Sequence, residues 1–127
     1  MNVVDSSAWL EYFANGPNAG DFEVPILDTE SLLVPSIAIL EVYRHVLRTR
    51  GREEALVAAA AMRSGQTVDL GYSLALEAAE IGLTLKLPLA DSVIYASARA
   101  HDATLWTQDA DFEGLDGVEY HPKRTGP

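Results

Sequence analysis

Thr104-Leu105-Trp106-Thr107-Gln108-Asp109-Ala110-Asp111-Phe112 is the stretch on which the reading of this chain turns. Its first four residues are β-branched, aliphatic or aromatic and predict a short strand over Thr104–Thr107. The polar step after them predicts one helical turn at Asp109–Glu113. A carboxylate therefore stands just past a strand end. The N-terminus repeats the arrangement. Asn2-Val3-Val4-Asp5 reads as a short buried strand, and Ser6 to Ala14 has helical character. Asn15-Gly16-Pro17 breaks that helix.

Working outward, Asn18 to Asp28 stays ambiguous, because Pro25 either interrupts a helix there or belongs in its first turn. Leu32–Val34 is a strand candidate. Pro35 suits the first helical position, with a helix over Ser36–Thr49 ending near Gly51. Arg52–Arg63 is alanine-rich and helical, closed by Ser64-Gly65. Thr67–Leu70 reads as a strand and Tyr72–Leu85 as a helix, with apolar residues at Leu74, Ala78, Ile81 and Leu85. Beyond Pro88, Ala90–His101 is a further helix, and Val118–Tyr120 is the last strand. Strands alternating with helices predict a parallel sheet covered on both faces, an α/β/α sandwich spanning residues 1–127 as a single domain. In such folds ligands bind beyond the carboxyl ends of the strands.

Composition narrows the chemistry. The 127 residues contain no cysteine, which excludes disulfides, thiolate metal sites and a cysteine nucleophile. No apolar run approaches the length of a bilayer span, about 18 residues. Met1-Asn2-Val3-Val4-Asp5 lacks the features of a signal peptide, so a cytoplasmic location is expected. With 19 acidic and 9 basic residues the formal net charge is −10. This argues against broad electrostatic binding of nucleic acid, which relies on Lys and Arg. Arg44, Arg48, Arg50 and Arg52 nevertheless fall in one short stretch. They read either as cations favoured near a helix C-terminus or, for Arg44, Arg48 and Arg50, as phosphate contacts.

Four acids stand out. Asp5 and Asp109 follow strands, where each also suits a helix N-cap. Asp91 lies in the first turn of a helix, where the dipole favours it. Glu41 is flanked by Ile39, Leu40, Val42 and Tyr43, with Arg44 and His45 at pairing distance. Asp111 competes with Asp109 and is better explained by capping or exposure. Converging on one sheet edge, such acids would repel one another unless they held a cation. Oxygen-only ligation suits Mg²⁺ or Mn²⁺. The Ser7 and Thr107 hydroxyls lie beside Asp5 and Asp109 and are placed to orient carboxylates.

Val4-Asp5-Ser6-Ser7-Ala8-Trp9-Leu10, Leu40-Glu41-Val42, Leu89-Ala90-Asp91 and Leu105-Trp106-Thr107-Gln108-Asp109-Ala110-Asp111-Phe112, in that order, resemble the PIN-domain family, and within it the VapC-type toxins of toxin–antitoxin pairs. The resemblance covers essentially the whole chain. It implies a divalent-metal-dependent endoribonuclease in which Asp5, Glu41, Asp91 and Asp109 bind Mg²⁺, with Mn²⁺ as substitute. It also implies supporting hydroxyls at Ser7 and Thr107, and Asp111 as a possible additional acid. Cleavage leaving 5′-phosphate and 3′-hydroxyl ends, an RNA substrate, an antitoxin partner and a homodimer follow from the same likeness. The alternatives are a non-catalytic PIN-like interaction module and a phosphotransfer or phosphatase domain using Asp5. The latter would want a second aspartate where Ser7 stands. His45, His101 and His121 are too dispersed for a zinc site. Gly71-Tyr72-Ser73-Leu74-Ala75 lacks the second glycine of a nucleophile elbow. Trp9, Tyr12 and Phe13 suit a core or an interface better than a base-stacking platform.

Overall fold

In the computed structural model, which describes residues 1–125, five parallel strands form one sheet: β1 (Asn2–Val4), β2 (Leu32–Pro35), β3 (Gln66–Val68), β4 (Thr104–Thr107) and β5 (Val118–Tyr120). Their spatial order is β3-β2-β1-β4-β5. Val3 pairs with Leu33 on one side and Leu105 on the other. All four of Val3, Val4, Leu33 and Leu105 are buried. β2 is a continuous buried run and β1 is apolar at Val3 and Val4, as expected of strands with helices on both faces of the sheet.

Among the described residues six helices flank the sheet: α1 (Ser6–Phe13), α2 (Ala19–Leu27), α3 (Ser36–Arg50), α4 (Arg52–Met62), α5 (Tyr72–Leu85) and α6 (Leu89–Ala100). The core joins Trp9, Phe22, Leu32, Ile94 and Phe112. Trp9 stacks on Phe13 with ring centroids 5.6 Å apart. Trp9 has no exposed surface, so it is a core residue and not an interface anchor. Gly51, at φ +96°, adopts a conformation that disfavours side chains and lets α4 begin directly after α3. The α5–α6 hairpin closes tightly, since a Cβ on Gly82 would stand 2.2 Å from Ser92 Oγ. No helix among the described residues is long and apolar enough to cross a membrane.

Several boundaries differ from the sequence reading. Pro35 is the last residue of β2 and the N-cap of α3, not its first helical residue. It has extended backbone and pairs with Val68. The third strand is Gln66–Val68 rather than Thr67–Leu70; Gln66 and Thr67 are exposed on this edge strand, so no apolar pattern marks it. The ambiguous segment contains α2, with Pro25 in its seventh position rather than its first turn. It lacks the N–H that would bond to the Asp21 carbonyl, a cost confined to the end of α2, and the proline itself is buried.

The topology also selects a crevice. The chain moves from β1 outward to β2 and β3, then returns to the other side of β1 for β4 and β5. Strand order reverses between β1 and β4, and ligands bind at such a switch point. Asp5 follows β1 and Asp109 follows β4 closely. The two thus stand on either side of it.

Candidate active site

Asp5 leaves β1 with its N–H donating to the Trp106 carbonyl at 3.1 Å. Its carboxylate is almost fully buried and well supplied with donors. The Ala8 N–H donates to Oδ1 at 3.0 Å, making Asp5 the N-cap of α1. Ser7 Oγ lies 2.9 and 3.0 Å from the two oxygens. Thr107 Oγ1 donates to Oδ2 at 2.8 Å. Burial nevertheless dominates, pushing the Asp5 carboxyl up from 3.8 to about 6 against these donors. The capping role that the sequence offers is realised, with one oxygen capping the helix and the other meeting Thr107, while the Asp109 charge is near enough to raise the Asp5 carboxyl further.

Thr107 joins the two strand ends. Its hydroxyl donates to Asp5 and accepts from the Asp109 N–H at 2.9 Å. Asp109 in turn accepts from the Asp111 N–H at 2.9 Å, capping a turn of 3₁₀ helix over Ala110–Phe112 that buried Phe112 anchors. Gln108, also buried, accepts from Asn18 Nδ2 at 3.1 Å, which ties this turn to the start of α2. The expected supporting positions of Ser7 and Thr107 thus correspond to direct hydrogen bonds.

Asp91 enters from the first turn of α6. Its carboxyl is raised from 3.8 to about 7, first by burial and then by the charges of Asp109, Asp5, Glu41 and Asp111. Carboxylate oxygens of Asp91, Asp109 and Asp111 lie within 4.8 Å of one another. Asp111, which the sequence explains better as a cap or solvated acid and the family resemblance keeps as a possible additional acid, is exposed and belongs to this trio. Glu41 approaches from α3, where Ser6 Oγ donates to its Oε1 at 2.6 Å. That partner went unnoticed in the sequence, which offered Arg44 and His45 instead; the only cue was a second hydroxyl beside Ser7 at a helix start.

Among the described residues no Lys, Arg or His forms an ion pair with any of these five acids; the recorded pairs involve Asp21, Glu54 and Glu119. Close carboxylates without a cation, two of them raised toward neutrality, fit a hard divalent ion, and the donor set is all oxygen. Beside Glu41 lies a cavity of about 400 Å³ lined by Ser6, Glu41, Arg44, His45, Arg48 and Ala90, among others. Arg50 does not line it. It pairs with Glu54 at 3.4 Å and borders a second cavity of about 430 Å³ between α1, α3 and α4.

Comparison with known proteins bears on this arrangement. Sequence comparison with curated proteins gives no match. Several solved structures share the fold over nearly the whole chain. A toxin–antitoxin complex from Klebsiella pneumoniae matches at TM-score 0.78 and 19% identity, covering 94% of this chain and 96% of that one. VapC20 of Mycobacterium tuberculosis, a sarcin–ricin-loop-cleaving toxin, matches at 0.78 and 21%, covering 96% and 100%. DNA-bound VapBC from Salmonella typhimurium matches at 0.78 and 18%, covering 96% and 97%. At these identities the likeness speaks for the fold. The sequence profile of the PIN domain matches residues 3–118, a span that runs from β1 to the start of β5, and on that match the chain belongs to the PIN-domain family.

Proposed function

We propose that this protein is a divalent-metal-dependent endoribonuclease and the toxin of a toxin–antitoxin pair. The observation that carries the reading is the convergence of five carboxylates, without cationic partners among the described residues, at the switch point of the sheet. Asp91, Asp109 and Asp111 would hold the ion, with Asp5 and Glu41 completing the negative field around it. When bound, Mg²⁺ would supply charge neutralisation at a phosphodiester and acidify an attacking water. The chain's own part is preorganisation. Thr107 and Ser7 hold Asp5, the 3₁₀ turn holds Asp109, and Ser6 holds Glu41. Full burial of Asp5 strengthens the electrostatics on the inner side of the site, while half-buried Asp91 and exposed Asp111 leave its outer side open to solvent and ligand. The phosphotransfer alternative gains no support from Asp5, whose oxygens are almost fully buried and engaged by donors. Single-stranded RNA incubated with pure protein should be cut with Mg²⁺ or Mn²⁺ and left intact with chelator. Equal cutting under chelation would sink the reading, and no cutting on any RNA would favour a binding module.

Arg44 and Arg48 line the cavity beside Glu41 and are the basic residues suited to RNA phosphates; Arg50, turned to Glu54, is not. Neutralising both should weaken RNA binding for many sequences alike. The slope of log affinity against log salt should become shallower by about 1 to 2. An unchanged slope would return both arginines to the solvated helix face.

The second cavity, lined by Leu10, Phe13, Val46, Val57 and Ala58, suits the apolar side of an antitoxin segment. A cation carried further along the antitoxin would find Asp91 and exposed Asp111 more accessible than Asp5, which is almost fully buried. Val57→Asp should loosen the complex at least tenfold in a calorimetric titration with antitoxin. Unchanged affinity would move the partner elsewhere on the surface.

A further inference from the structure

Each acid of the cluster with a recorded tether is held differently. Asp5 has a backbone N–H and two hydroxyls, and Asp109 has the Asp111 N–H. Glu41 stands apart. It projects from the middle of a fifteen-residue helix, and glutamate has more rotatable bonds to restrain than aspartate. Among the described residues its carboxylate accepts one hydrogen bond, from Ser6 Oγ at 2.6 Å, which spans 35 positions of sequence. That distance lies in the range of charge-assisted O–H···O⁻ bonds. Arg44, His45 and Arg48 share its cavity yet form no ion pair with it.

Ser6 is well placed to act as a tether. It is the first residue of α1, directly after the N-cap. Asp5 satisfies the Ala8 N–H, so the Ser6 hydroxyl is not needed for capping and its proton is available across the gap. One turn of chain therefore sends the Asp5 carboxylate into the cluster and the Ser6 hydroxyl to α3. Oε1 of Glu41 is engaged, and among the described residues nothing donates to Oε2.

We propose that Ser6 is a positioning residue, whose hydroxyl fixes the Glu41 carboxylate beside the aspartate cluster and leaves its second oxygen for the site's ligand. The inference rests on the metal-site reading above. Groups that orient metal-binding carboxylates typically change affinity 10- to 100-fold when removed.

The test is Mg²⁺ binding to the whole protein, measured by calorimetry without RNA. Ser6→Ala should bind Mg²⁺ about tenfold more weakly, and Ser6→Thr, which keeps the hydroxyl, should bind close to wild type. A double-mutant cycle separates the tether from general damage to the start of α1. In a Glu41→Ala background, Ser6→Ala should cost nothing further. Wild-type affinity in Ser6→Ala, or an equal loss in both backgrounds, would overturn the role of Ser6. Asp91→Asn serves as the control for the site itself. Binding lost in Asp91→Asn but intact in Ser6→Ala would leave the metal centre standing without the tether. A wild-type protein that takes up no Mg²⁺ would overturn both.

Discussion

Asp5→Asn is expected to abolish RNA cleavage, by 100-fold or more, while leaving the metal-free protein as stable as wild type or more so. The two effects have different origins. Loss of activity follows from removing a charge from the field that holds the ion. Preserved stability follows from the local hydrogen bonds. Asparagine Oδ1 can still accept the Ala8 N–H now received by Asp5, and Asn caps a helix about as well as Asp. The new amide replaces the oxygen that accepts from Thr107. The threonine hydroxyl has two acceptor lone pairs, of which one serves the Asp109 N–H, so it can accept from the amide and must redirect its proton. Against that rearrangement stands the relief of a buried charge. A carboxyl raised from 3.8 to about 6 disfavours the ionised folded state by about 3 kcal/mol at neutral pH. A net gain between zero and about 2 kcal/mol is the expected balance. It should shrink toward pH 4, where wild-type Asp5 is protonated in the fold. Urea unfolding at pH 7 and pH 4 in chelator, beside an RNA cleavage assay, measures both parts. Full activity in pure Asp5→Asn protein would refute the metal-site reading, since the mutant retains the capping oxygen and lacks only the charge.

The same contrast between local and assembled information explains what the sequence disclosed. Asp5 and Asp109 were legible because each follows a short apolar run and a strand's end is a local event. Asp91 was legible as a carboxylate in the first turn of a helix. The α/β alternation followed from breakers such as Asn15-Gly16-Pro17. What stayed open or was missed needed the third dimension. Asp111 competes with Asp109 in the sequence, and the 3₁₀ turn anchored by Phe112 brings its carboxylate within 4.8 Å of Asp91 and Asp109 alike. Ser6 looks interchangeable with Ser7, yet one hydroxyl turns to Asp5 and the other to Glu41. Arg50 looks equivalent to Arg48 until its pairing with Glu54 takes it off the cavity. β3 was displaced because an exposed edge strand need not alternate, and Pro25 was misplaced because its burial in the core has no signature in local propensity.

The metal-free protein should lose stability as pH rises from about 4 to about 7, and Mg²⁺ should restore it increasingly over the same range. The direction follows from Asp91 and Asp5. In an unfolded chain both titrate near 3.8, whereas in the fold they titrate near 7 and 6. Between those values the folded state holds more protons than the unfolded one, so stability falls with rising pH. Their contribution is complete below about pH 4 and lost once pH has passed 7. Asp91 is partly exposed and solvent screens the repulsion acting on it, so its share is set at about 2 kcal/mol. For a domain of this size that corresponds to roughly 6–10 °C in Tm. Other carboxylates slope the curve as well, and the difference between wild type and Asp91→Asn isolates the effect. In chelator the variant's Tm should draw level with or exceed that of wild type as pH climbs from 4 to 7.5. Divalent ion reverses the order by binding only the folded, deprotonated cluster. At 100 times its Kd it adds about 2.7 kcal/mol to wild type, and little to Asp91→Asn. Because the ion competes with protons held near neutrality, its stabilising effect should fade as pH drops below 6. Wild-type and Asp91→Asn curves that ran parallel from pH 4 to 8, with and without Mg²⁺, would mean that Asp91 neither carries a raised carboxyl nor holds an ion.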